Sequence, residues 1–207
     1  MPILAPEPMI YPADLLDTAE LRACSSAARW FVAHTRPRQE KALARYLYSR
    51  RIGYFAPQYT RRDPRRSARE GSCIPLFSGY VFVHADDAGR LECLQSNRVA
   101  AALKVVDQAG LLADLRRVKR LIDSRLPLYP EERLAPGRRV RIVCGPLAGL
   151  EGVVEGRVGR LRFTVGVEFI HQGVSVEVDA RALEPIGHEA DLALPAHGRT
   201  GAAQAVA

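Results

Sequence analysis

The sequence predicts two small units in tandem, an α+β domain and then an all-β barrel, and three observations carry that division. Between residues 29 and 126, short strand-like apolar runs alternate with helical stripes. The order βαβββαβα sets helices against one antiparallel sheet. Pro127 to Pro136 then breaks the pattern with three prolines, which reads as a linker. From 137 to 187 every signal is β, in short alternating strands joined by glycine turns.

Residues 1–28 are rich in Pro and Ala and lack sustained periodicity, so they are expected to form a disordered leader with one helical turn near Asp14–Ala23. Trp30-Phe31-Val32-Ala33 reads as a buried strand that stops at Arg36-Pro37. Proline at a first helical position predicts a helix over 37–51. Leu43, Tyr46, Leu47 and the stem of Arg50 form its inner stripe, and Arg38, Lys41 and Arg45 share another face. Gly53 ends the helix, and residues 54–60 follow as a strand. RRDPRRSAREGS cannot pack and reads as an arginine-laden hairpin tip, from which residues 73–76 return. Residues 77–83 are a strongly β-prone run entered through a glycine turn. Helices are predicted over 87–95 and 111–125, with a strand over 101–106 between them. The last helix carries Leu111, Leu115, Val118 and Ile122 on one stripe.

In the second unit Val140 and Ile142, then Leu161 to Phe169, then Val174 to Val178 alternate with polar or small residues. One face of each strand is therefore apolar, and about fifty residues of such strands predict a small barrel that closes its own edges. Gly156, Gly159, Gly166 and Gly173 would each cost a helix about 1 kcal/mol, so the unit is expected to stay β. Residues 188–207 read as a frayed tail.

Composition narrows the function. No run of eighteen apolar residues exists, and the N-terminus has no basic segment ahead of an apolar one. Neither a membrane span nor secretion is expected, and the cytoplasm is the expected compartment. Cys24, Cys73, Cys93 and Cys144 form no CxxC pair, so neither metal nor disulfide is expected, and no cofactor. A nucleophile elbow, a Walker loop and HExxH are all missing, so an enzyme is not expected. The glycines of Gly145-Pro146-Leu147-Ala148-Gly149 lack a following Lys-Ser/Thr and fit a turn between strands.

Charge points to a polyanion. Residues 29–70 hold twelve Lys/Arg against three Asp/Glu, a net of +9, while the whole chain carries +7. Residues 135–187 hold seven Arg and six Asp/Glu, a net of only +1. Nucleic-acid contact is thus expected of the first unit and not of the barrel. Aromatic density in the same region, from Tyr54 to Phe82, exceeds what one covered sheet face needs and predicts an apolar docking patch.

At these residues a family resemblance emerges. TRPRQEKALARYLYSRRIGYFAPQ (35–58) followed by PLFSGYVFV (75–83) resembles the N-terminal domain of NusG-family transcription factors. GRRVRIVCGPLAGLEGVVEG (137–156) is similar to the KOW motif that follows it in that family, and the Arg-Pro-Arg-Gln-Glu opening is more similar to specialised RfaH-like paralogues. The resemblance implies an elongation or antitermination factor, a monomer that docks an apolar depression on the clamp helices of the largest RNA polymerase subunit and suppresses pausing. That docking would fall to Phe55, Phe77, Tyr80 and Phe82, and contacts to non-template DNA to Arg36, Arg38, Lys41 and Arg98. Leu147, Phe169 and Ile170 would form the KOW surface for Rho or a small-subunit ribosomal protein. Ser78 and Leu147 stand where the family usually has proline and an aromatic. The alternative is a ribosome-associated or general RNA-binding KOW protein. Tyr80 is expected mainly at the surface, and the docking patch is expected to be exposed beside a flexible 127–136 linker.

Overall fold

A computed structural model describes residues 8–18, 27–61, 72–133, 137–157 and 160–186. Five antiparallel strands organise the first unit: β1 (Ile10–Tyr11), β2 (Arg29–Thr35), β3 (Gly53–Phe55), β6 (Tyr80–Ala85) and β7 (Val99–Lys104), in the order β1-β3-β6-β2-β7. β4 (Gln58–Arg61) and β5 (Ser72–Pro75) form a separate two-stranded arm. The helices are α1 (Glu40–Ser49), α2 (Asp87–Gln95) and α3 (Gln108–Asp123). This is the expected mixed unit of antiparallel sheet and few helices.

Period-2 alternation sends successive side chains to opposite faces. Phe31, Ala33, Tyr54, Val81 and Val83 pack with Leu43, Ala44 and Leu47 of α1 and Cys93 of α2. Trp30, Val32, Phe55 and Phe82 point the other way and pack with Leu111, Leu112, Leu115, Val118 and Leu121 of α3.

Several local expectations are corrected. Residues 8–18 are not a disordered leader: Ile10–Tyr11 pairs with Tyr54–Phe55, and Leu15 and Leu16 are buried, on a helical turn over 15–18 that falls where one was expected. Two apolar side chains with a place in the core outweigh a proline-rich composition. The first helix starts at Glu40, three residues late, because Pro37 and Arg38 form a turn with Arg38 at φ +61°. Residues 54–60 are two strands in different sheets, separated at Ala56-Pro57. Phe77 to Gly79 is a turn, with Gly79 at φ +84°, a left-handed conformation that suits a residue lacking Cβ. The arginine-laden tip, 62–71, and the tail, 188–207, lie outside the described residues.

The second unit is a six-stranded antiparallel sheet in the order β13-β9-β10-β11-β12-β8. Its strands are β8 (Tyr129–Glu131), β9 (Arg138–Ile142), β10 (Glu151–Arg157), β11 (Arg160–Val167), β12 (Gln172–Val178) and β13 (Leu183–Pro185). β8 comes from the expected linker. Its Pro130 is tolerated at a sheet edge, where no neighbour asks for the missing N–H, and Pro185 sits likewise in the other edge strand, β13. Ser175 Oγ donates to Glu131 Oε1 at 2.6 Å, Arg162 pairs with Glu131 at 3.2 Å, and its guanidinium lies 4.2 Å from the Tyr129 ring centre. Residues 129–131 are therefore held in the sheet, which corrects the expectation of a flexible linker there.

The two units touch through α3. It packs on β11, β12 and the 3-10 turn Glu168–Ile170. Asp114 Oδ2 accepts from the Glu168 N–H at 2.9 Å, and Arg120 donates to the Ala148 carbonyl at 2.8 Å. Phe163, Val165, Val167, Val174 and Val176 join Trp30, Phe55, Phe82 and the α3 leucines in one apolar cluster.

Candidate nucleic-acid interface and the aromatic sheet face

The basic end of the first unit is built where β2 hands over to α1. Thr35 N–H donates to Gly79 O at 2.8 Å, and Arg36 N–H donates to Arg98 O at 2.8 Å. The second bond sets Arg36 and Arg98 side by side, although 62 positions separate them. Glu40 is buried, and its Oε1 accepts from Gly79 N–H at 2.7 Å. The charge-assisted bond ties the start of α1 to the turn that launches β6. The Arg-Pro-Arg-Gln-Glu run therefore has a structural member, Glu40, among its cations.

Arg36 and Arg38 are exposed on the turn before α1. Lys41 is exposed but donates Nζ to the Cys73 carbonyl of β5. Arg98 is half-buried, with Nε on Ala42 O and one terminal nitrogen on Ser96 O, both at 3.2 Å. Among the described residues, two of the four expected contacts are thus surface cations without a partner, and two are fastened to carbonyls. Beside them His34 stacks on Tyr80, ring centres 5.2 Å apart and 30° between planes, with His34 exposed and Tyr80 half-buried.

The aromatic face departs from expectation. Phe55 and Phe82 are 0% exposed and Phe77 is 1%. They pack against one another, the Phe77 ring meeting Phe82 edge-on at 5.8 Å. The expectation of an exposed patch in the free protein is corrected: α3 and the C-terminal sheet belong to the same apolar cluster as these rings. Tyr80 and Phe82 share a strand parity, yet only Phe82 is fully covered, because Tyr80 stands at the start of β6.

Leu147 is also corrected. It is 2% exposed and packs in the core, so it offers no surface to a partner here. Phe169 and Ile170 are half-buried in the 3-10 turn beside α3. Sequence reasoning missed Asp114, which is 6% exposed, pairs with Arg117 and caps the Glu168 N–H. It also missed the cluster of Tyr46, Arg50, Glu92 and Arg98; Tyr46 was assigned to the inner stripe of its helix. No group of three or more His, Cys, Asp or Glu among the described residues could hold a metal, and no described helix is long and apolar enough to cross a membrane.

The family described as transcription termination factor nusG matches residues 28–128, which span β2 to the end of the α3 region. No curated protein matches the chain. Among solved structures, Thermotoga maritima NusG, studied for its domain interaction, is 19% identical with a TM-score of 0.45, covering 77% of this chain and 98% of that one. The MjSpt4:Spt5 complex in conformation B is 15% identical with a TM-score of 0.26, covering 77% and 97%. The assignment rests on the domain match and on the motifs at 35–58 and 75–83. Residues 28–128, just under half of the chain, match the family described as transcription termination factor nusG, and that unit is a NusG domain.

Proposed function

We propose that the protein is a transcription elongation or antitermination factor that binds RNA polymerase through its N-terminal domain. It contacts non-template DNA through Arg36, Arg38 and Arg98, and recruits a partner, Rho or a small-subunit ribosomal protein, through a KOW barrel formed by the C-terminal sheet. The NusG domain match over 28–128 carries the reading, because it falls on the unit that holds both the aromatic sheet face and the basic end. The charge split supports it: the net of +9 over 29–70 against +1 over 135–187 puts polyanion binding on the first unit, against a general RNA-binding KOW protein. Phe55, Phe77 and Phe82 shape the face from within, and His34 and Tyr80 are the rings a polymerase would meet first.

Retention of the full chain on purified core RNA polymerase tests this. Wild type is expected to be retained at low salt; no retention refutes the proposal. Tyr80→Ala is expected to weaken retention at least several-fold while costing less stability than the about 3–5 kcal/mol of a fully buried aromatic. Paired melting and binding curves separate the two effects.

A further inference from the structure

A polar cluster joins α1 to α2 next to the expected DNA contacts. The Tyr46 hydroxyl donates to Glu92 Oε1 of α2 at 2.5 Å, and Arg50 Nε pairs with the same oxygen at 3.2 Å. The Arg50 guanidinium lies 5.4 Å from the Tyr46 ring centre and that of Arg98 5.9 Å. One ring therefore lies within cation–π reach of two arginines from different elements.

The charges within this cluster are unequally satisfied. Glu92 is engaged by Tyr46 and Arg50. Arg98 is held by the Ala42 and Ser96 carbonyls, which fix its direction but leave its charge whole. Among the described residues no carboxylate pairs with Arg98. Arg36 starts from the neighbouring backbone position, bonded to Arg98 O. A guanidinium has five donors in a planar fork, so Arg98 retains donors beyond the two it spends on carbonyls. The hydrogen bond to Glu92 also lifts the Tyr46 hydroxyl above its ordinary value, which keeps it a donor. A staple between α1 and α2 alone would need Glu92, Tyr46 and Arg50, but not an unpaired Arg98 on the same ring.

We propose that Tyr46 is a positioning residue: locked by Glu92 beside Arg50, its ring holds the Arg98 guanidinium as a preset fork for the phosphodiester backbone of single-stranded DNA. This rests on reading the basic end as a nucleic-acid interface. Preorganisation matters because an arginine already fixed by carbonyls and a ring loses less side-chain freedom when it binds phosphate. Tyr46 itself need not touch the strand.

A double-mutant cycle in the full chain tests the coupling, read by fluorescence anisotropy with a labelled mixed-sequence oligodeoxynucleotide of about 12 nucleotides. Arg98→Ala should weaken binding about 5–10-fold and lower the salt slope by about 1. Tyr46→Ala should do nearly the same, and the double variant should be no worse than the weaker single one. Tyr46→Leu and Tyr46→Phe guard against loss of folding. Leu keeps bulk without a π face and should behave like Ala, while Phe keeps the face and should retain most of the affinity. Additive losses from Tyr46→Ala and Arg98→Ala overturn the proposal, as does tighter binding of the same-sequence RNA. Should wild type bind DNA and Arg36→Ala weaken it while the cycle is additive, the positioning role falls and the interface stands. Should wild type bind no oligonucleotide, both fall, and polymerase retention decides whether the elongation-factor reading survives.

Discussion

The two faces of the five-stranded sheet are closed in different ways. Phe31, Ala33, Val81 and Val83 are covered by α1 and α2, which lie in sequence between β2 and β3 and between β6 and β7. Trp30, Val32, Phe55 and Phe82 are covered by α3 and, through the same cluster, by a sheet that begins only at residue 129. The first face is sealed by contacts local to its own domain. The second shares its seal with another unit, fastened by the Asp114–Glu168 and Arg120–Ala148 bonds. The second face also bears Phe55, Phe77 and Phe82.

The sharpest way to break this comparison is to truncate a residue from each side. Phe163→Ala should cost about 3–5 kcal/mol, and Leu47→Ala about 2–5 kcal/mol. Trp30 is the single tryptophan, 3% exposed and within the shared cluster. Its fluorescence should shift at the melting of Phe163→Ala, although the substitution lies in the other unit. An unchanged tryptophan signal through the melting of the C-terminal sheet would show that the second face is sealed by α3 alone.

A smaller effect is expected at the fastening itself. Asp114→Ala leaves the Glu168 N–H and the Arg117 guanidinium without their carboxylate, costing about 1–3 kcal/mol. Amide exchange at Glu168 should quicken far more than exchange in β2 and β6, because the docking loosens while the first unit stays folded. Equal acceleration in both would mean that Asp114 supports the domain rather than the contact.

The smallest effect sharpens the account of the sealed face. Burial on the inner side of α2, against the sheet, pushes the Cys93 thiol up to about 12 from 9.0. The folded state therefore favours the neutral thiol. Its contribution is full below pH 9 and is lost as pH rises towards 12. Among the three described cysteines, alkylation of the native protein should modify exposed Cys144 before half-buried Cys73, leaving Cys93 until unfolding. Melting curves from pH 8 to 11 should fall less steeply for Cys93→Ala than for wild type. Parallel curves would show that the packing of α2 on the sheet leaves the thiol solvated.

Much of the architecture was legible because period and punctuation are local. The alternation of 161–169 and 174–178 and the stripe Leu111, Leu115, Val118, Ile122 fix an element by the side each residue shows. The helix over Asp87–Gln95 appears with the expected bounds. The site was legible only as a charge count: the net of +9 locates a region, but it cannot say that Glu40 serves a turn or that Arg98 is held by carbonyls.

What the sequence by itself determined is the type and the apolar face of the longer elements, and which half of the chain is basic. All of these follow from the order of side chains along a chain of fixed period. Tertiary structure alone decided how widely α3 is buried. Leu112 and Leu121 lie about 80–100° off its stripe, yet both are 3% exposed or less, because a sheet and a second unit enclose the helix. It also decided that Ile10–Tyr11 and Tyr129–Glu131 are strands. An edge strand of two or three residues has too few side chains to carry a period, so its pairing comes from the neighbour that needs its hydrogen bonds.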